Sequence, residues 1–171
     1  DGVGWGRHDD GDAVYLANTP NMDALTREAP WTLLAAHGTA VGMPSDGDMG
    51  NSEVGHNAMG AGRIFDQGAK LVANAIDTGS IWQSRAWKKA IEAPTLHLIG
   101  LVSDGNVHSH VNHIHAMVRQ AARDGVPRIR LHALTDGRDV NARSALSYIK
   151  PIEDLLASLD GDYAIGSGGG R

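Results

Sequence analysis

The sequence contains no cysteine, so neither a disulfide framework nor a thiolate metal site is open to it. It has no apolar run of membrane-spanning length and no signal-peptide pattern, which leaves no sign of a membrane and makes the cytoplasm the expected compartment. It has no run of Lys or Arg, and its formal net charge is -5. An electrostatic nucleic-acid partner is thereby disfavoured, although a local arginine pair can still hold a small anion. No repeat of solenoid type is visible. What is present is 171 residues at 42% hydrophobic content, enough for one ordinary domain or two small ones. Glycine and histidine are the two enriched types, at 22 and 9 residues. The glycines stand mostly in short polar turns, and four of the histidines fall within "HSHVNHIH". The chain opens on "DGVGWG" without Met and closes on "GSGGGR". Both read as the middles of turns, so a fragment of a longer protein is expected.

Along the first part, Thr19 reads as an N-cap with Pro20 at the first helical position. An apolar stretch, "TLLAAHG", runs into a turn-rich loop, and "SEVGHNAMG" is a short helix bounded by glycine. "AKLVANAID" and "SRAWKKAIE" are two further helices. The pattern then changes. "TLHLIGLVSDG" is a near-continuous apolar run, as in a strand buried on both faces. "HVNHIHAMVRQAARDG" carries Val111, Ile114, Met117, Val118 and Ala121 at helical spacing and closes at Gly125, with Pro127 beyond. "RIRLHALTDG" is a second strand, "SALSYIKPIEDLLASLDG" a helix expected to kink or divide near Pro151, and "DYAIGSGGGR" a third strand entering a glycine-rich turn. Strand and helix in alternation predict right-handed βαβ units on a parallel sheet. A boundary between residues 64 and 80 would separate this unit from the Ser52 segment.

Ligands of such sheets bind beyond the carboxyl ends of the strands. Those ends carry Asp104 and His108, then Asp136, Arg138 and Asp139, then Arg171. Arg138 is placed to grip a phosphate or carboxylate through paired hydrogen bonds, with Asp139 beside it for a substrate hydroxyl. The plain alternative is a solvated turn. His108 and His110 form an H-x-H pair that could chelate a divalent metal. The alternative is histidines decorating a helix, and helical geometry favours it. Within the helix His113 and His115 lie on different faces, and only His110 and His113 could share one.

Ser52, in "DMGNSEVGH", is either a helix cap or a nucleophile. A serine hydroxyl becomes a nucleophile when a base or a metal takes its proton. His56 would lie alongside Ser52 on a helix rather than aim at its Oγ. Metal activation with Asp1 as co-ligand is the more economical route.

Taken together, "DGVGWG", "ANTPNMDAL", "HGTAVGMP", "DMGNSEVGHNAMGAGR", "LHLIGLVSDGNVHSH", "RIRLHALTDGRDV" and "GSGGGR" resemble, in order, the cofactor-independent phosphoglycerate mutase family of the alkaline phosphatase superfamily. The resemblance implies an α/β protein. Residues 1–66 would be the N-terminal part of an alkaline-phosphatase-like domain, and residues 67–171 that of an inserted transferase domain with a parallel sheet. It implies interconversion of 3-phosphoglycerate and 2-phosphoglycerate through a phosphoserine at Ser52, without 2,3-bisphosphoglycerate. Two divalent cations are implied, commonly manganese, with magnesium or cobalt as alternatives. Asp1 and Ser52 would share one of them, while His108, Arg138, Asp139 and Arg171 would bind substrate. The full-length enzyme would be a monomer of glycolysis and gluconeogenesis, and this segment alone inactive, since the family's other metal and phosphate ligands lie beyond Arg171. Departures from the family pattern are Asp48, where glutamine is common, Asn106, where glycine is usual, and the missing proline after "GRDV". The rivals are another metal-dependent phosphatase or phosphomutase of the superfamily, an amidohydrolase-type enzyme using His108 and His110, and a non-catalytic anion-binding module. The second would require a (β/α)₈ barrel, for which too few βα units are present.

Overall fold

The computed structural model describes residues 3–170. Among them the helices are α1 (Ala13–Leu16), α2 (Pro20–Glu28), α3 (Ser52–Ala61), α4 (Gly68–Asp77), α5 (Ser80–Gln83), α6 (Arg85–Ala90), α7 (Val111–Arg123) and α8 (Ala145–Ser158). The strands are β1 (Leu96–Val102), β2 (Arg128–Thr135) and β3 (Asp162–Gly170).

The three strands are parallel in the order β1-β2-β3, with Leu98 opposite Leu131 and Leu131 opposite Ile165. The mixed α/β class with a parallel sheet is therefore the observed one. The apolar stripe of α7 explains how its crossover packs. Val111, Ile114, Val118 and Ala121 are buried with Ile129, Leu131 and Ala133 of β2 and Ile152 and Leu156 of α8, all in one core. Each fully buried aliphatic side chain there contributes about 1.5–3 kcal/mol. The C-terminus of α7 closes as its sequence requires. Gly125 takes φ 77°, the Val126 amide donates to Ala121 O at 3.0 Å and the Gly125 amide to Ala122 O at 3.1 Å. That is a Schellman closure with an apolar residue, the buried Val126, immediately after the glycine. Trp87 of α6 then fastens the same corner, its indole N–H donating to Asp124 Oδ2 at 2.8 Å.

Three expectations need correction. β1 is not buried on both faces among the described residues: both helical crossovers pack on one side, and Ile99 is 72% exposed on the other. α8 runs unbroken through Pro151, because Ile152 and Leu156 anchor its later turns in the core. The glycine-rich segment is strand rather than turn, paired with β2 as far as Thr135 opposite Gly170. Its irregularity is a bulge: His132 faces Ser167 while Leu131 faces Ile165, so Gly166 is the extra residue.

The apolar stretch after α2 forms no element, and Leu33 and Leu34 are exposed. Val41, Met43 and Val54 make a second, smaller cluster under α3. It meets the rest of the chain through Gln67, whose buried side-chain amide donates to Val41 O at 3.2 Å and to Phe65 O at 3.3 Å. The chain needs glycine at position 42 for this crossing. Gly42 has φ 85°, and a Cβ there would stand 2.0 Å from Phe65 O.

Candidate functional site

The start of α3 positions Ser52. The N-cap is Asn51, whose Oδ1 accepts from the Val54 amide at 2.9 Å. Ser52 is thus the first helical residue and is exposed, so capping is done by its neighbour. The first-turn amides of α3 point towards the same end, where a helix favours negative charge. His56 sets Nδ1 2.6 Å from the Ser52 backbone carbonyl. Since a carbonyl only accepts, Nδ1 carries the proton, and the ring is turned to the backbone as its helical position dictates.

The loop after β1 brings His108 to this place. Its geometry is set by hydrogen bonds back to the strand end: Ser109 Oγ donates to Leu101 O at 2.5 Å and the Val111 amide to Ser103 O at 2.7 Å. A cavity of about 210 Å³ results, lined by Asn51, Glu53 and Val54 on one side and by Val107 and His108 on the other, with Met43 and Gln67 among its walls. His108 and the residues flanking Ser52 therefore face one space. A larger, open concavity of about 890 Å³ follows residues 4–14. Its Asp9 and Asp12 carboxylates accept from amides of the same segment, and among the described residues none of the expected site residues lines it.

Arg138 and Asp139 follow β2. Their amides donate to Asp136 Oδ1 at 2.9 and 3.1 Å. This carboxylate-centred turn leaves Arg138 exposed and Asp139 half-buried. Asp139 lies against the β1 loop so closely that a Cβ on Gly105 would be 2.8 Å from its own Cβ. The two strand-end loops are thus packed together, as the parallel sheet implied. Asp104 is held from a third direction, by the Tyr148 hydroxyl at 2.5 Å. That accepting carboxylate keeps the tyrosine hydroxyl above its ordinary range. Asp1 and Arg171, two of the expected site residues, lie outside the described residues.

Within the histidine cluster the His110 and His113 rings come together, their centroids 5.9 Å apart. His110 is the N-cap of α7, and its Nδ1 accepts from the Asn112 amide at 3.1 Å, which assigns the proton of the neutral ring to Nε2. His113 and His115 are half-buried in the helix, and desolvation first, with the His110 ring second for His113 and Arg119 for His115, holds both below the usual imidazole range. Among the described residues no three His, Cys, Asp or Glu side chains stand together as a metal cage. Ser52 offers one oxygen, and Asp1, its expected co-ligand, lies outside the described residues.

Sequence reasoning missed several partners of these residues. Asn51 belongs to the capping set and directly precedes the helix, so a signal existed. The pairing of Tyr148 with Asp104, and of Asn106 Nδ2 with Asp48 Oδ1 at 3.0 Å, joins positions far apart in sequence and left no local trace.

The family described as BPG-independent PGAM N-terminus matches residues 72–171. A probable 2,3-bisphosphoglycerate-independent phosphoglycerate mutase of Leptospira interrogans is 52% identical over 181 aligned positions, covering 100% of this chain and 33% of the relative. The 2,3-bisphosphoglycerate-independent phosphoglycerate mutase 1 of Arabidopsis thaliana is 49% identical, covering 98% and 32%. A crystal structure of Leishmania mexicana phosphoglycerate mutase at low cobalt concentration superposes with a TM-score of 0.87 at 50% identity, covering 100% of this chain and 33% of that one. The chain spans about a third of the length of the relatives it matches.

Proposed function

This chain belongs to the BPG-independent phosphoglycerate mutase N-terminal family, and from that premise we propose that the protein carrying it interconverts 3-phosphoglycerate and 2-phosphoglycerate through a phosphoserine at Ser52. The observation that carries the proposal is the shared cavity, to which the start of α3 and the His108 loop both contribute. Residues 1–66 form the nucleophile half and residues 67–171 the substrate half. In glycolysis and gluconeogenesis, where the activity belongs, such a protein works in the cytoplasm as a monomer.

In the first half-reaction the bond between phosphorus and the C3 oxygen breaks and the oxygen keeps its electron pair. A bond from Ser52 Oγ to phosphorus forms, and the serine proton ends on the glycerate oxygen. The second half reverses this on the C2 hydroxyl. His108, Arg138, Asp139 and Arg171 hold the glycerate while it reorients, the guanidinium groups pairing with carboxylate or phosphate oxygens. The first-turn amides of α3 offset the charge of the phosphorylated serine. Asp1 and Ser52 would hold one of two divalent cations, manganese or else magnesium or cobalt, which when bound would favour the serine alkoxide and screen the transferring group. The rest of the metal and phosphate ligands belong to the remaining two-thirds of a full-length relative, so the 171 residues alone are inactive.

The test is Ser52→Ala in the full-length protein, assayed on 3-phosphoglycerate with Mn added. Lost turnover with retained substrate binding supports the phosphoserine route, and unchanged turnover excludes it.

A further inference from the structure

The loop leading to Ser52 and the loop leading to His108 are joined side chain to side chain, Asn106 Nδ2 donating to Asp48 Oδ1 at 3.0 Å. Both partners are held for this contact. Asp48 closes a tight turn in which its Oδ2 accepts from the Ser45 amide at 2.7 Å. Its own amide donates to Ser45 O at 3.1 Å, and its carbonyl accepts from Gly38 at 3.0 Å. Oδ1 is thereby aimed away from its own loop. Asn106 is 9% exposed and takes φ 56°, a left-handed conformation that asparagine tolerates better than most residues. A buried amide donor is costly to strand, and a carboxylate gives it a charge-assisted bond. Partial burial alone would raise the Asp48 carboxyl. The bonds from Asn106 and Ser45, with His110 nearby, outweigh this and hold it below the ordinary carboxylate range.

We infer that Asp48 and Asn106 are positioning residues, a clasp that keeps the Ser52 loop and the His108 loop on one cavity. The consequence rests on the proposed phosphoserine route. When the Oγ–P bond breaks, Oγ keeps the electron pair and receives the proton of whichever hydroxyl takes the phosphorus, that of glycerate or that of water. A clasp that holds the two loops together keeps the glycerate next to the phosphoserine and water out, and so sets the ratio of isomer to free phosphate.

The experiment uses the full-length protein with Asn106→Gly, Asp48→Ala and the double substitution. Glycine suits φ 56°, and Asn106→Gly removes the side chain with its amide donor without straining the backbone, so the variant is expected to fold. Hydrogen exchange is read at amides 45–56 and 104–110, and turnover of 3-phosphoglycerate is divided into isomer and free phosphate. Each single substitution should speed exchange in the opposite loop, raise KM more than it lowers kcat, and increase the free-phosphate fraction several-fold. The double substitution should do no more than the worse single one. Unchanged exchange at 45–56 in Asn106→Gly, or effects that add in the double variant, would overturn the clasp. A wild-type protein without mutase turnover would overturn the functional proposal instead, and the exchange coupling would still decide the clasp.

Discussion

Ser103 and Asp136, the residues directly after β1 and β2, meet through a hydrogen bond of 2.7 Å in which the serine hydroxyl donates to the carboxylate. Both are almost fully buried. The second Asp136 oxygen receives the amides of Arg138 and Asp139. One carboxylate thus fixes the two strand-end loops on which the candidate substrate residues stand.

Ser103→Ala should cost about 1–3 kcal/mol, the penalty for removing a buried partner of a charged acceptor. Asp136→Asn should also destabilise, because a neutral amide gives up the charge assistance to these bonds and forces Ser103 Oγ to turn from donor to acceptor. Chemical denaturation of each variant checks the stability, and a rise in the KM for 3-phosphoglycerate in the full-length protein checks the effect on the turn that carries Arg138.

Gly105→Ala tests the close packing of the same loops. The added methyl would lie 2.8 Å from the Asp139 Cβ, so one loop must give way, at about 1–3 kcal/mol for an overpacked site. The expected result is a lower melting temperature together with weaker substrate binding. A variant as stable and as tightly binding as wild type would show that the loops part freely.

Asp162 opens β3 between two arginines, with Arg128 Nε at 2.7 Å and Arg130 NH2 at 2.8 Å. The hydrogen bonds from Arg128 and then Arg130 hold its carboxyl below its ordinary value of 3.8. A carboxyl with a lowered folded pKa stabilises the fold at neutral pH, and the contribution disappears as pH falls through that lowered value. Asp162→Asn should therefore lower the melting temperature at neutral pH and low salt. The difference should shrink in high salt, because the site is exposed, and vanish in strong acid.

His115 carries a buried Nε2 without a hydrogen-bond partner, and desolvation, then Arg119, holds its pKa below 6.5. Below pH 6.5 the unfolded chain takes up this proton more readily than the folded one, so stability falls on acidification. For one such group the slope is at most about 1.4 kcal/mol per pH unit. His115→Leu should flatten the curve below pH 6.5 and gain on wild type as the pH drops, as urea titrations at several pH values would record.

The alternation of strands and helices was plain in the sequence because the stripe of α7 and the apolar runs of β1 and β2 have different periods. So was the packing of the loops after β1 and β2 against each other, seen at Gly105 and Asp139, which follows from parallel topology alone. Less visible was whatever depends on partners distant in the chain. "GSGGG" reads as a turn, since glycine has low strand propensity. It is strand because β2 supplies a continuous ladder, with Thr135 Oγ1 also donating to Gly169 O at 3.0 Å. Proline at 151 reads as a break, but core contacts on its C-terminal side keep the helix whole. Ser52 reads as a cap, and the structure moves that duty one residue back to Asn51. Asp48 and Asn106 each look like an isolated oddity until they are found on one hydrogen bond.

The bare face of the sheet bears on how this segment behaves in a test tube. His97, His132 and Ser167 cross it as a hydrogen-bonded row, with contacts of 2.9 and 2.6 Å, and Ile99 and Leu134 stand beside them in solvent. Parallel sheets are ordinarily walled on both sides. The row has already matched donors to acceptors, so a covering layer could settle on it without stranding those polar atoms. Purified by itself, the segment should act as a colloid with one adhesive wall, its charge of -5 keeping particles apart only while salt is low.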